Sequence, residues 1–333
     1  MNTPRRPTEL SWGVIGTSRI ATEYVIPAIR AAGGSVAAIG SRDGDRGREV
    51  ADKLDIPAAY GSYEELLADD RLEAIYVALP NALHTDWVRA ALVAGRHTLC
   101  EKPLTRSRRD AETLTELAER DGLVLMEGYM FRHHPQWATL SAVLDAGDAP
   151  VVVRSHIGYR MTADADIRLH GELGGGAFLD VGCYTVAAAT ELLGEATTAT
   201  AQVVARHPET GVDTLTVAYL TFRDDRLAVL DSDFLLDWTT TPLEIRTPSR
   251  TVRLEHPYNP GAEPTEILVD RQGAAREHHR VASADAYRAM AGTFMRLVGE
   301  GATAPEAERE RARIRSVAHN INLVWDALGG AER

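Results

Sequence analysis

The run Gly13-Val14-Ile15-Gly16-Thr17-Ser18-Arg19-Ile20-Ala21 constrains the fold of this chain more than any other stretch. Apolar residues Trp12, Val14 and Ile15 lead into a tight turn of small residues, and helix-forming sequence follows at once. A parallel strand that hands the chain to a helix in this way leaves the first helical amides facing outward, where they attract an anion. From Gly16 to Ala21 the residues follow the dinucleotide-binding pattern G-x-G-x-x-G/A, except that Ser18 stands where the second glycine lets a pyrophosphate approach the backbone. Gly16, Thr17, Ser18, Arg19 and Ile20 are therefore the expected phosphate cradle.

The surrounding sequence supports that turn. Apolar runs at 12–15, 36–39, 74–79, 98–100 and 123–126, with a shorter one at 58–60, alternate with helical segments. The runs are continuous, as in strands covered on both faces. Ser62 and Glu65 form a capping box, Gly95 follows a helix ending at Ala94, and Ser107 with Asp110 favours the start of another helix. Pro27 is expected to break the first helix. Six strands in β-α alternation predict an α/β fold with a doubly wound parallel sheet.

Beyond about residue 128 the pattern changes. Helices are expected at 135–144 and 177–193. Closely spaced strand-like runs lie at 151–159, 199–206, 215–222, 227–235, 243–246, 251–254 and 267–270. With no helices seen between them, these strands are expected to pair antiparallel, and helices at 285–299 and 305–328 close the chain. The predicted organisation is a nucleotide-binding domain over 1–128 and an α+β domain with a large, open, mostly antiparallel sheet over 129–333.

A formal net charge of -12 argues against nucleic acid or an anionic membrane as partner. No apolar run is read as approaching a membrane span. Residues 1–9 carry charge with no apolar run after them, and read as a short tail. Cys100 and Cys183, the two cysteines, lie in apolar surroundings and read as free thiols of a reducing, cytoplasmic compartment.

The end of the second strand speaks to the choice of dinucleotide. NAD enzymes place an acid there for the ribose hydroxyls, whereas NADP enzymes use small residues and an arginine for the 2′-phosphate. Here the sequence is Ala38-Ile39-Gly40-Ser41-Arg42-Asp43. Gly40 or Ser41 occupies the acid position, Arg42 can fork onto a phosphate, and Ser41 adds a hydroxyl. NADP(H) is thus expected over NAD(H). The alternative makes Asp43 the true acid, slipped along the chain, with Arg42 a solvated loop residue. Arg46 and Arg48 read as helix-surface charges.

Four segments carry candidate chemistry. Leu79-Pro80-Asn81-Ala82-Leu83-His84 closes the fourth strand at the carboxyl edge, where such sheets bind ligands, and Glu101-Lys102-Pro103 closes the fifth at the same edge. Tyr129-Met130-Phe131-Arg132-His133-His134-Pro135-Gln136 leads out of the sixth. Gly174-Gly175-Gly176-Ala177-Phe178-Leu179-Asp180-Val181-Gly182-Cys183-Tyr184 opens a helix of the second domain.

In the order and spacing of these segments the chain resembles the glucose-fructose oxidoreductase / inositol dehydrogenase / rhizopine-catabolism (Gfo/Idh/MocA) family over almost its whole length. The resemblance implies a Rossmann domain joined to an open-sheet domain, and NAD(P)-dependent hydride transfer on sugars, cyclitols or related alcohols. It places the family's lysine on Lys102, its aspartate on Asp180 and its histidine-or-tyrosine on Tyr184. The tyrosine and the Arg132 segment are similar to NADP-linked sugar ketoreductases, xylose-type dehydrogenases and dihydrodiol dehydrogenases. Leu79, Pro80, Asn81, His84, Glu101, Lys102 and Arg132 are the remaining residues it implies at the cofactor. Ser18 departs from the pattern.

The chemistry of these residue types agrees. Hydride addition to a carbonyl builds negative charge on oxygen, which a nearby ammonium such as Lys102 stabilises. A free phenol titrates at about 10, and a neighbouring ammonium brings it toward the range useful for proton exchange. Asp180 and Tyr184 stand four residues apart, so one helix face can present both, with Asp180 orienting substrate or Lys102. Plainer roles stand beside these: a surface lysine, a buried helix tyrosine, a helix-capping aspartate, and for His84 either pocket lining or structural support. Arg168 is the substrate-binding choice among Tyr159, Arg160, Asp166 and Arg168. The pairs His133-His134 and His278-His279 lack metal-ligand spacing, and no metal is expected.

Within the resemblance, reduction of a keto-sugar is the leading expectation, with a nucleotide-linked 3-keto-deoxysugar first. The alternatives are oxidation of an aldose (xylose-type, at C1) or of a dihydrodiol. A reading of another class is a dinucleotide-binding sensor or regulator without turnover. A homodimer or homotetramer is expected, because one face of an open sheet needs cover.

Overall fold

The computed structural model describes residues 10–145, 148–162, 166–235, 241–261 and 263–330. The tail expected at 1–9 lies outside them. The described chain falls into two compact units. The first takes the chain up to Thr105, then Arg109–Gly128 and Tyr287–Arg315; the second takes Arg106–Arg108, Tyr129–Ala286 and the chain from Ser316 on.

In the first unit, strand β1 (Ser11–Ile15) is followed by a wide π turn, Ala21–Val25, and helix α1 (Ile26–Ala31), which has Pro27 in its first turn. Then come β2 (Ser35–Gly40), α2 (Gly44–Lys53), β3 (Ala58–Tyr60), α3 (Tyr63–Leu67) and β4 (Ala74–Val77). Helix α4 (His84–Val93), β5 (His97–Cys100), α5 (Arg108–Arg120) and β6 (Leu125–Glu127) complete the alternation. The strands form one parallel sheet in the order β3-β2-β1-β4-β5-β6. That order reverses direction beside β1, the switch point at which doubly wound sheets bind ligands. Trp12, Val14 and Ile15 of β1 and all of β4 are buried, which explains their unbroken apolar sequence.

The caps follow the sequence with one refinement. Ser62 Oγ accepts the Glu65 N–H at the start of α3, but Glu65 reaches back to the N–H of Gly61, one residue beyond the capping-box partner.

The second unit begins with α6 (Pro135–Asp145) and β7 (Val152–Gly158). A second π segment, Phe178–Gly182, runs into α7 (Cys183–Leu193). Strands β8 (Thr198–Arg206), β9 (Asp213–Thr221), β10 (Leu227–Asp233), β11 (Leu243–Arg246), β12 (Arg250–Leu254), β13 (Thr265–Arg271) and β14 (Glu277–Val281) follow. They form an eight-stranded sheet in the order β14-β13-β12-β11-β7-β10-β9-β8.

The expectation that all these strands pair antiparallel is corrected at one place: β7 and β10 are parallel, Leu227 facing Val152 and Asp233 facing Gly158. Helix α7 and the β8–β9 hairpin lie between them in sequence and supply the crossover a parallel pair requires. Strand β14 was not anticipated. Its first four residues, Glu277 to Arg280, are polar, only Val281 is apolar and buried, and the strand pairs with β13 at the sheet edge. Residues 171–193 also correct the reading that no run approaches a membrane span: they are long and apolar enough by composition, and they are largely buried as short helical pieces in this unit.

Two helices close the chain, α8 (Ala286–Glu300) and α9 (Pro305–Ala327). Residues 287–315, expected within the second domain, group with the first unit instead. Phe294 of α8 packs its ring 4.7 Å from that of Trp12, and Tyr287 lies 5.3 Å from Tyr24. Burial of the Trp12 and Phe294 rings outweighs position along the chain.

Candidate active site

The first unit holds the expected cofactor residues except Arg132. Gly16 has φ +99°, and a Cβ there would lie 2.7 Å from the Ala78 carbonyl oxygen, so only glycine lets β1 turn against β4 at this point. Its N–H donates to the Gly40 carbonyl (3.0 Å), tying the turn to the end of β2. Ser18, the departure from the pattern, turns its hydroxyl back toward the Ala21 N–H (3.4 Å). A serine is thus accommodated as a local helix cap. Thr17, Ser18 and Ile20 are partly buried and Arg19 is exposed.

At the end of β2, Asp43 Oδ1 accepts the N–H groups of Asp45 and Arg46, both at 3.1 Å, and so caps α2. Asp43 N–H in turn donates to Ser41 Oγ at 3.2 Å. One oxygen of the carboxylate that would read a ribose is therefore committed to the helix, which weakens the slipped-acid alternative. Arg42 is exposed; burial raises the Tyr63 phenol above its ordinary value, and the nearby Arg42 charge works against that rise.

Arg46, read from sequence as a surface charge, donates its Nε–H to Thr17 Oγ1 at 3.0 Å. Helical side chains lean toward the N-terminus, so a residue in the first turn of α2 reaches back over the β1 turn. The signal in the sequence was Asp43, whose capping role fixes where α2 starts.

His84 is fully buried, with Nδ1 2.7 Å from the Pro103 carbonyl and Nε2 2.8 Å from the Leu79 carbonyl. It ties the Leu79-Pro80-Asn81 turn to the turn that carries Lys102. Burial and the Lys102 ammonium push the imidazole pKa down, while the two carbonyls push it up. Leu79, Pro80 and Asn81 are partly buried at the end of β4.

Glu101 is buried and accepts the Tyr76 hydroxyl at 2.6 Å. It anchors the base of the loop on which Lys102 stands half-buried, and the Lys102–Pro103 peptide is cis. Leu104 N–H donates to Glu127 Oε1 at 2.7 Å and fixes the other side of that loop.

In the second unit Asp180 sits in the π segment and Tyr184 in the first turn of α7. Asp180 Oδ2 receives the Tyr159 hydroxyl (2.9 Å) and Arg168 Nε (3.0 Å), while Arg168 also pairs with Asp166 at 3.1 Å. Two of the four loop candidates, Tyr159 and Arg168, thus meet Asp180, and Asp166 joins them through Arg168. Burial and the Asp180 charge raise the Tyr159 phenol well above its ordinary value. Burial opposes the Arg168 charge, but Asp180, Tyr159 and Asp166 hold it firmly protonated. Arg160 is exposed.

The Tyr184 ring lies in an aromatic group, 5.5 Å from Tyr129, 5.7 Å from Tyr258 and 5.9 Å from Phe131. Its hydroxyl is 3.8 Å from Met130 Sδ. Arg132, expected at the cofactor, pairs with Glu191 of α7 at 3.0 Å, both side chains largely buried. Among the described residues no group of three His, Cys, Asp or Glu side chains is placed to hold a metal ion. His134 is buried with Nδ1 accepting the Gln136 N–H, and His278 pairs with Glu266.

Comparison with known proteins gives the following. Residues 10–129 match the family described as "Oxidoreductase family, NAD-binding Rossmann fold", and residues 137–247 match "GFO/IDH/MocA C-terminal domain". The chain is 37% identical to the D-xylose 1-dehydrogenase (NADP(+)) 2 of Haloferax volcanii, over 96% of its own length and 97% of that protein. It is 32% identical to the trans-1,2-dihydrobenzene-1,2-diol dehydrogenase of Xenopus tropicalis, over 67% of this chain and 69% of that one. The crystal structure of KijD10, a 3-ketoreductase from Actinomadura kijaniata in complex with NADP and TDP-benzene, superimposes with a TM-score of 0.84. The match to KijD10 is 31% identical and covers 96% of this chain and 97% of that chain.

Proposed function

The chain belongs to the Gfo/Idh/MocA oxidoreductase family, and on that premise we propose that it is an NADP(H)-dependent enzyme moving a hydride between nicotinamide and a sugar carbon. The observation that carries the cofactor choice is the end of β2. Asp43 Oδ1 caps α2, and Arg42 and Arg46 flank it in sequence. A 2′-phosphate suits that donor set; a bare ribose does not. The Gly16 turn suits a pyrophosphate, because glycine alone fits against Ala78.

NADP(H) supplies or accepts the hydride, and this chain's residues handle charge, proton and orientation. Lys102 stabilises negative charge on the reacting oxygen. Tyr184 exchanges the substrate's proton, its ring held by Tyr129, Phe131 and Tyr258. Asp180 takes two donors, Arg168 and Tyr159, on one oxygen, an arrangement that suits an ionised carboxylate and supports a role in orienting a substrate hydroxyl. Arg168 completes the substrate contacts. Ser41 and Arg42 take the 2′-phosphate; Gly16 to Ile20, Leu79 to Asn81, His84 and Glu101 form or brace the rest of the cofactor site. Arg132 belongs there only by resemblance, since its partner in the second unit is Glu191.

The favoured reaction is reduction of a keto-sugar, with a nucleotide-linked 3-keto-deoxysugar first, supported by the likeness to KijD10. Oxidation of a free aldose has its own support in the full-length likeness to a D-xylose dehydrogenase, and oxidation of a dihydrodiol in the likeness to a diol dehydrogenase. The sensor reading predicts tight dinucleotide binding without turnover, and the presence of Lys102, Asp180 and Tyr184 speaks against it. A panel of keto-sugars with and without a nucleotidyl group, assayed for NADPH loss beside free aldoses and diols with NADP⁺, separates these readings. We also propose a homodimer or homotetramer, readable by size-exclusion chromatography with light scattering; Val204 and Tyr219 are large apolar side chains left exposed on β8 and β9. The cytoplasm is the proposed compartment, supported by two buried, unbridged cysteines. The charge of -12 supports small molecules over nucleic acid or anionic membranes as partners.

A further inference from the structure

Asp213, at the first position of β9, is buried and lies outside every motif singled out above. Its Oδ2 accepts the Phe178 N–H at 2.7 Å and the Thr216 hydroxyl at 2.9 Å. Phe178 opens the π segment two residues before Asp180, and Ala177, which precedes it, makes no side-chain cap. Asp213 thus supplies from a neighbouring strand the acceptor that the helix start lacks.

The same carboxylate fills the space beside Gly176. That residue has φ +110°, and a Cβ on it would lie 2.0 Å from Asp213 Oδ1. Gly176 in turn belongs to a closed ring of contacts. Its N–H donates to the Arg168 carbonyl (2.8 Å) and its carbonyl accepts the Asp180 N–H (3.0 Å), while Arg168 Nε meets Asp180 Oδ2 (3.0 Å). Backbone and side chain therefore bind Arg168, Gly176 and Asp180 into one unit, and Asp213 grips that unit from outside at both Gly176 and Phe178.

We infer that Asp213 is a positioning residue for the reaction, setting through the Gly176–Phe178 turn where the Asp180 carboxylate and the helix bearing Tyr184 stand. The inference rests on the functional reading above. A displacement of the Asp180 turn by a fraction of an ångström, with the fold otherwise intact, is the expected result of weakening the grip, and such displacements act on turnover more than on cofactor affinity.

The test is Asp213→Asn in the full chain, with turnover counted per NADPH-binding site by fluorescence titration, on whichever substrate the wild type turns over. We expect kcat per site to fall about tenfold with NADPH affinity within about twofold of wild type. The double variant Asp180→Asn/Asp213→Asn is expected to be no slower than Asp180→Asn alone, because the first residue acts through the second. Amide exchange across residues 178–184 should quicken about tenfold while the parallel sheet keeps its protection. If Asp213→Asn fails to fold, Thr216→Val removes only one donor to Oδ2, and an approximately threefold fall per site is expected. A kcat per site within about twofold of wild type, losses that multiply in the double variant, or unchanged exchange at 178–184 each overturns the inference. A wild type that turns over no substrate sinks the functional reading instead, and amide exchange then still decides for or against the grip.

Discussion

At the scale of single residues, the cofactor preference turns on which groups remain for a 2′-phosphate once α2 is capped. Arg42→Ala and Arg46→Ala should each weaken NADPH by about tenfold or more while NADH changes by no more than about twofold, read as dissociation constants by fluorescence titration. Equal losses for the two dinucleotides would remove both arginines from phosphate recognition. Tyr184→Phe deletes one hydroxyl from a ring whose packing stays intact, since its neighbours touch the aromatic face. Its kcat should fall by about 10²-fold or more, with the pH profile altered. Near-full turnover with an unchanged profile would take the proton from Tyr184 and leave the Asp180 cluster to be reconsidered as its carrier.

Among the elements, the clearest expectation concerns the start of α2. Asp43→Ala removes an acceptor shared by two backbone N–H groups, and should cost about 1 kcal/mol in urea unfolding. The NADPH-to-NADH preference should stay within about twofold, because the residue serves the helix. A selective loss of NADH affinity would reinstate Asp43 as the ribose acid. The same element shows how far the sequence was legible. Ser41, Arg42 and the missing acid were readable because strand ends and turns depend on neighbours along the chain. Arg46 was not, since its role arises from the direction a helical side chain leans across to Thr17. Likewise β14 carries no apolar alternation to read, and the parallel pairing of β7 with β10 depends on the crossover through α7 and the β8–β9 hairpin. The Asp180 cluster was half legible: its members were named, but their convergence depends on the loop fold between β7 and the glycines.

For the whole molecule, stability should respond to pH from both sides. Arg71 beside Asp69 holds that carboxyl well below the usual carboxylate range, so its contribution is present above the ordinary carboxylate value and is lost as pH falls. Asp231 bonds His156, with Asp233 3.6 Å away, and raises the imidazole above its ordinary value; that contribution is full below the usual histidine range and fades as pH climbs through the raised value. Urea midpoints measured against pH should fall at both ends, with Asp69→Asn flattening the acid limb and His156→Gln the neutral-to-alkaline one. Limbs that ignore both substitutions would place the linkage elsewhere. The larger claim is that the chain is an NADP(H)-linked sugar oxidoreductase. It is tested most directly by one plate: NADPH loss on keto-sugars with and without a nucleotidyl group, NADP⁺ reduction on free aldoses and diols, and NADH or NAD⁺ in parallel wells. Turnover on at least one sugar or diol with the phosphorylated dinucleotide favoured by about tenfold or more is the predicted result. Tight NADPH binding with no turnover in any well, or turnover that prefers NADH, would contradict it.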